Sequence, residues 1–158
     1  LSTGSESTMP QEIIYLDTSV VSNYFDVRDP LIHRYTREFW TKLPRYRVLI
    51  SEIVRQEVQM AQPLISSQMM DLIRPFEIAP ILPEAINLAK DYIKAGIFSD
   101  KQFNDALHAA IATSAQVDFL VSWNFRHLVR VKTKRLLPIV NLSVGYAKLI
   151  QIIAPSEV

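Results

Sequence analysis

The chain contains no cysteine and only three histidines in 158 residues. Disulfides and thiolate metal sites are therefore excluded, and the histidines alone are a poor basis for a structural zinc. The absence of cysteine fits a reducing compartment, and the expected location is the cytoplasm. A bound metal would have to be held by oxygen, which selects hard cations such as magnesium or manganese. Glycine is equally scarce, at three residues, and no stretch has the composition of a flexible linker. No solenoid period is visible. No apolar run reaches the roughly 18–20 residues of a membrane span, so no membrane partner is expected. Nor is there an excess of one charge: 17 basic residues against 16 acidic ones leave +1, which does not by itself announce a nucleic-acid binder.

What is present is ordinary globular material, 49% apolar and 21% charged, in a length that suits one domain. The polar opening "LSTGSEST" precedes Met9. Residues 1–8 read as a cloning remnant, leaving 9–158 as the domain. Charge is uneven locally. Between Trp123 and Arg135 lie Arg126, Arg130, Lys132, Lys134 and Arg135, with no acid among them. Such a run is either a solvated loop or a surface that faces phosphate.

Apolar periodicity predicts strands over 12–17 ("EIIYLD"), 46–51 ("YRVLIS"), 118–122 ("DFLVS"), 137–141 ("LPIVN") and 148–153 ("KLIQII"), with a short edge strand at 76–81. Helices are predicted over 18–25, 30–43, 52–61, 64–73, 83–96 and 100–115. Leu31, Tyr35, Phe39 and Leu43 form the buried stripe of the second. Pro83 and Gly96 are start and stop signals for the fifth. Ser99 and Gln102 form a capping box for the sixth. Alternating strands and helices define an α/β domain: a parallel sheet flanked by helices.

In such a sheet, ligands sit beyond the carboxyl ends of the strands. Asp17 ends the first strand. Ser51 ends the second, and Glu57 lies in the second turn of the following helix. The helix of Asp105 runs antiparallel to the strand after it, so its start returns to the same edge. Asn124 lies just past the "DFLVS" strand. Four oxygen-bearing side chains are thus expected together, and a divalent cation would relieve the repulsion among the acids. Asp118 begins its strand and belongs to the opposite edge, where its role is structural. Blander readings exist for each residue. Asp17 could cap the next helix, Glu52 could stand in for Glu57, and His108 reads as a packing histidine.

Together "YLDTSVV", "SEIVRQEV", "NDALHAAIA" and "FLVSWNFRHL" resemble the PIN-domain nucleases, in particular the VapC-type toxins. The likeness spans roughly residues 13–141. It implies a single PIN-like, Rossmannoid domain with four to five strands in the order 3-2-1-4-5. It also implies a metal-dependent endoribonuclease that hydrolyses RNA phosphodiesters with Mg2+ or Mn2+. The implied partners are RNA, a cognate antitoxin and a second copy of the chain. The family's acids map onto Asp17, Glu57 and Asp105 as catalytic and metal-binding residues. The usual fourth acid is replaced by Asn124, which brings an oxygen but no charge. Ser19, Ser122, Arg126, His127 and Arg130 are the candidates for substrate contact. The substitution at Asn124 motivates an alternative: a degenerate domain that binds RNA or a protein without cutting. An aspartyl-phosphate phosphohydrolase is a poorer match, since Ser19 stands where that chemistry needs a second Asp.

Overall fold

The computed structural model describes residues 10–158; the segment read as a cloning remnant lies outside the described residues. Strand β1 (Ile13–Leu16) is followed by helices α1 (Thr18–Asn23) and α2 (Pro30–Trp40). Strand β2 (Arg47–Ser51) leads into α3 (Glu52–Gln59) and α4 (Pro63–Ile73), then β3 (Glu77–Ala79) and α5 (Pro83–Lys94). Helix α6 (Phe103–Ser114), β4 (Phe119–Val121), α7 (Val131–Ser143) and β5 (Gln151–Ile153) complete the domain. The strands form one sheet in the order β3-β2-β1-β4-β5. All pairings are parallel. Fold class and strand order agree with expectation. Among the described residues no helix is long and apolar enough to cross a membrane.

The sheet is buried on both faces, which is why its central strands are continuous apolar runs rather than alternating ones. Ile14 and Leu16 of β1 join Val48, Ile50 and Val121 on one face, beneath α1–α4. Tyr15, Leu49, Leu120 and Ile152 point the other way, toward α5–α7. The α6 contribution on that side is mostly alanine: Ala106, Ala109, Ala110 and Ala112 are all buried. Small side chains let this helix lie close against α5, its main packing partner.

Local signals set most boundaries. Gly96 ends α5 with φ +79°, a conformation that only glycine adopts without strain. Gln102 Oε1 accepts the Ser99 N–H at 3.0 Å, so the capping contact forms; it opens a 3-10 turn that runs into α6. Asp118 lies at the amino edge, as expected. It accepts the Ile13 N–H at 2.7 Å and faces Lys148 at 3.1 Å. Burial opposes its ionisation, but the Ile13 N–H and Lys148 outweigh it and hold the carboxyl below its ordinary value. A depressed pKa contributes stability above the unfolded value of about 3.9, and that stability is lost as pH falls through the folded value. Asp118→Ala should cost about 1 kcal/mol at pH 7 in urea unfolding. The gap to the wild type should narrow as pH falls below the unfolded value; a gap of constant size would refute the linkage.

Two expectations require correction. Residues 137–141 are not a strand but the second half of α7. Thr133, Leu137 and Asn141 are buried at a spacing of four, whereas Ile139, which a strand would bury beside Leu137 and Asn141, is 62% exposed. Pro138 is tolerated inside this helix even though it cannot donate to the Lys134 carbonyl. The place beside β4 goes to residues 151–153. The expected stripe of α2 holds in part: Phe39 is buried, as is Leu43 just beyond the helix, but its amino-terminal half differs. Leu31 is 51% exposed, while Thr36 is fully buried beside Phe39. Thr36 accepts the indole N–H of Trp123 at 2.9 Å, which gives the indole donor its partner on this face.

Candidate active site

Asp17 leaves β1 at the carboxyl edge and is only 4% exposed. Its Oδ1 accepts the Ser19 hydroxyl at 2.6 Å, and its Oδ2 accepts the Ser122 hydroxyl at 2.5 Å. The bland reading is also correct: Asp17 caps α1 through the Val20 N–H, at a long 3.4 Å. One carboxylate thus does both jobs. Ser19 and Ser122 reach the site through Asp17. Their oxygens additionally accept the backbone N–H groups of Trp123 (2.9 Å) and Asn124 (2.8 Å). The loop after β4 is thereby tied to the first turn of α1.

Glu57 projects from α3 to the same edge. Its Oε1 accepts Thr18 Oγ1 at 2.6 Å and the ring Nε2–H of His108 at 2.7 Å. Glu52, the alternative, is instead paired with Arg55 at 3.2 Å. Asp105, in the first turn of α6, accepts the Asn124 amide at 3.1 Å. The Asn124 carbonyl oxygen accepts the His127 N–H at 2.9 Å, so this oxygen already has a partner. Arg126 is exposed beside this turn. Arg130 is committed elsewhere: its guanidinium donates to the Ile97 carbonyl and to Thr133 Oγ1.

The electrostatics of the three acids differ. Burial pushes the Asp17 carboxyl up, only partly offset by His108 and the two serine hydroxyls. Burial likewise raises Asp105; Glu57 adds to the rise, and His127, His108 and Asn124 oppose it. For Glu57 burial is outweighed by the bonds from His108 and Thr18, and its pKa is lowered. His108 itself is 3% exposed. Burial lowers its pKa, but Glu57, Asp17 and Asp105 together raise it above the ordinary value. His108 thus feels all three carboxylates, a role that its packing interpretation did not contain.

The donor set is all oxygen and anionic, and two of its carboxyls are held against ionisation by burial. That chemistry fits a hard divalent cation. Among the described residues no three His, Cys, Asp or Glu side chains form a ready-made metal cluster. Magnesium does not require one, because it keeps several waters and is held by one or two carboxylates plus substrate phosphate. Asp17 and Asp105, with Glu57 adjacent, suit that mode. His127 Nδ1 is buried and has no hydrogen-bond partner among the described residues. A buried ring nitrogen in that state calls for an oxygen from water or a ligand.

Sequence reading missed Tyr15 and Thr18. The signal for Tyr15 was available: it is the one polar-tipped residue in an otherwise aliphatic buried strand, and a buried phenol needs a partner. Thr18 carried no such signal.

An open parallel sheet with carboxylates gathered beyond its carboxyl edge defines the class of protein, a doubly wound α/β domain with an acidic site. The description "PIN domain" matches residues 14–132, and the chain belongs to that family. Among solved structures, VapC20 of Mycobacterium tuberculosis, described as a Sarcin–Ricin loop cleaving toxin, is 16% identical. It superposes with a TM-score of 0.53 over 68% of this chain and 86% of its own. VapBC2 of Rickettsia felis, solved bound to a DNA fragment from its promoter, is 18% identical. It superposes with a TM-score of 0.54 over 89% of this chain and 98% of its own. At these identities the likeness is one of fold. No curated protein matches the chain.

Proposed function

We propose that the protein is a metal-dependent endoribonuclease acting as the toxin of a type II toxin–antitoxin pair. The observation that carries this reading is the convergence of Asp17, Glu57 and Asp105, from three distant parts of the chain, on the carboxyl edge of the sheet. Asp17 and Asp105 would hold Mg2+ or Mn2+, with Glu57 beside them. When bound, the cation supplies Lewis acidity at the scissile phosphate and neutralises developing charge. Ser19 and Ser122 orient both oxygens of Asp17. Asn124 orients Asp105 through its amide. Arg126 would meet phosphate oxygens, and the exposed Lys132, Lys134 and Arg135 would extend the basic surface along α7; His127, whose buried Nδ1 has no partner among the described residues, would join them once ligand reaches it. Binding through these groups should weaken with salt. The toxin role, the antitoxin and a homodimer follow from the family likeness; the VapBC2 fold neighbour supports the same assignment.

The Asn124–Asp105 bond favours a second reading, in which the site is degenerate and binds RNA or a protein without cutting. One experiment separates the two. Purified protein is incubated with RNA and Mg2+ or Mn2+, with and without chelator, beside Asp105→Ala and Asn124→Asp. The nuclease reading expects cleavage that chelation removes, a drop of about 100-fold or more for Asp105→Ala, and little gain from Asn124→Asp. Cleavage that survives chelation would overturn it. Absent turnover that Asn124→Asp restores would establish the degenerate site.

A further inference from the structure

Tyr15 sits in the middle of β1 and is completely buried. Packing alone would be served by phenylalanine. A buried phenol is costly unless its hydroxyl is bonded, and this one is bonded twice. It meets Ser51 Oγ at 2.7 Å and His108 Nδ1 at 2.8 Å. The other ring nitrogen of His108 holds Glu57 Oε1 at 2.7 Å. A continuous chain therefore runs from the end of β2, through the centre of β1, to α6 and on to α3.

We propose that Tyr15 and His108 are positioning residues for Glu57, holding its carboxylate in one orientation at the carboxyl edge of the sheet. The inference rests on the nuclease reading for what Glu57 does there, though not for how Glu57 is held. A glutamate on a surface helix has three side-chain torsions, and nothing in α3 itself fixes them. A carboxylate can only accept, so Nε2 of His108 must carry a proton. Neutral His108 then accepts a hydrogen bond from the Tyr15 hydroxyl at Nδ1, and the Ser51 hydroxyl can donate to the tyrosine oxygen. In the charged ring Nδ1–H donates to the tyrosine oxygen, and the tyrosine hydroxyl turns to Ser51. Because a phenol can both donate and accept, every group is satisfied in both cases. The Nε2–H donates to Glu57 in each, so the carboxylate is oriented the same way whichever charge the ring carries. Tyr15 also blocks the flipped ring, which would present carbon to Glu57. Thr18 supplies a second donor to the same oxygen at 2.6 Å.

The test uses the full chain and three variants: Tyr15→Phe, His108→Ala and His108→Gln. Mn2+ affinity is measured without RNA, by the paramagnetic resonance of the free ion, beside a thermal melt. Histidine-ring 15N spectra are recorded for the wild type, Tyr15→Phe and Glu57→Gln. Tyr15→Phe should fold and bind Mn2+ about 10-fold more weakly, and His108→Ala about 10- to 100-fold more weakly. His108→Gln, whose amide can reach Glu57 as Nε2 does, should recover most of the loss. The wild-type spectrum should place the His108 proton on Nε2, with a resonance that moves in both Tyr15→Phe and Glu57→Gln. Unchanged Mn2+ affinity in folded Tyr15→Phe, or a glutamine no better than alanine at 108, would overturn the inference. A wild type that binds no Mn2+ would instead strike the nuclease reading. The ring spectrum then decides alone: a resonance indifferent to both Tyr15→Phe and Glu57→Gln sinks the positioning role, and one that responds to both upholds it.

Discussion

Asp17→Asn is expected to lower RNA cleavage by about 10³-fold while leaving the metal-free fold intact or firmer. The two halves have one cause. Asp17 is almost wholly enclosed, and its neighbours are hydroxyls and one backbone N–H rather than a fixed cation in direct contact. Ionised, it carries a desolvation cost that hydroxyls repay only in part. Asparagine keeps the shape, keeps an oxygen for the Val20 cap, and lets one serine hydroxyl turn to accept. Removing the charge should therefore stabilise the metal-free protein by about 1 kcal/mol or leave it unchanged. Adding Mg2+ should raise the melting temperature of the wild type and not that of the variant. Three measurements check this: cleavage rate, a melt without metal, and a melt with metal. A variant that cuts RNA within tenfold of the wild type would remove Asp17 from the chemistry.

Leu120→Ala is expected to be the most damaging single change to stability, at about 3–4 kcal/mol. Leu120 is the centre of β4, pairs in register with Tyr15 on one side and Ile152 on the other, and is fully buried. It shares its core cluster with the α6 alanines Ala106, Ala109, Ala110 and Ala112. Large side chains could swing into the gap, but alanines have no torsion to turn, so the cavity stays open. Typical domains hold only about 5–15 kcal/mol in total, so this one methyl cluster is a large share. Urea unfolding gives the number directly. A loss below about 1.5 kcal/mol would mean that α6 moves down to close the space. Ser122 and Asn124 follow β4 immediately, so cleavage should fall in the variant even at temperatures where it remains folded.

Much of this architecture could be read from residue order. Asp17 follows a strand end, Asp105 lies in the first turn of its helix and Glu57 in the second turn of a helix that leaves the same edge, and the parallel arrangement brings all three there. Asp118, six residues from Asn124, falls at the other edge for the same reason. The segment 137–141 was illegible because a five-residue apolar run satisfies a strand and a helix equally. Only the burial of Thr133, Leu137 and Asn141 on one side settles it. Asn141 then meets Tyr92 and Thr113, a buried polar contact among three helices that no local pattern encodes. His108 and Tyr15 failed differently. Each looks like core when taken alone, and their meaning lies in a bond across 93 positions of sequence.

The amino-acid sequence by itself determined the layered α/β class, the edge at which the acids gather and the exclusion of thiolate metal sites. These follow from periodicity and composition, which act over a few neighbouring residues. The tertiary structure alone decided which run became the fifth strand, which oxygens are held by Ser19, Ser122, Thr18 and Asn124, and that one buried histidine joins β1 to Glu57. Those outcomes depend on which distant groups come within hydrogen-bond reach, and that distance is set by how helices and sheet pack, not by the order of residues along the chain.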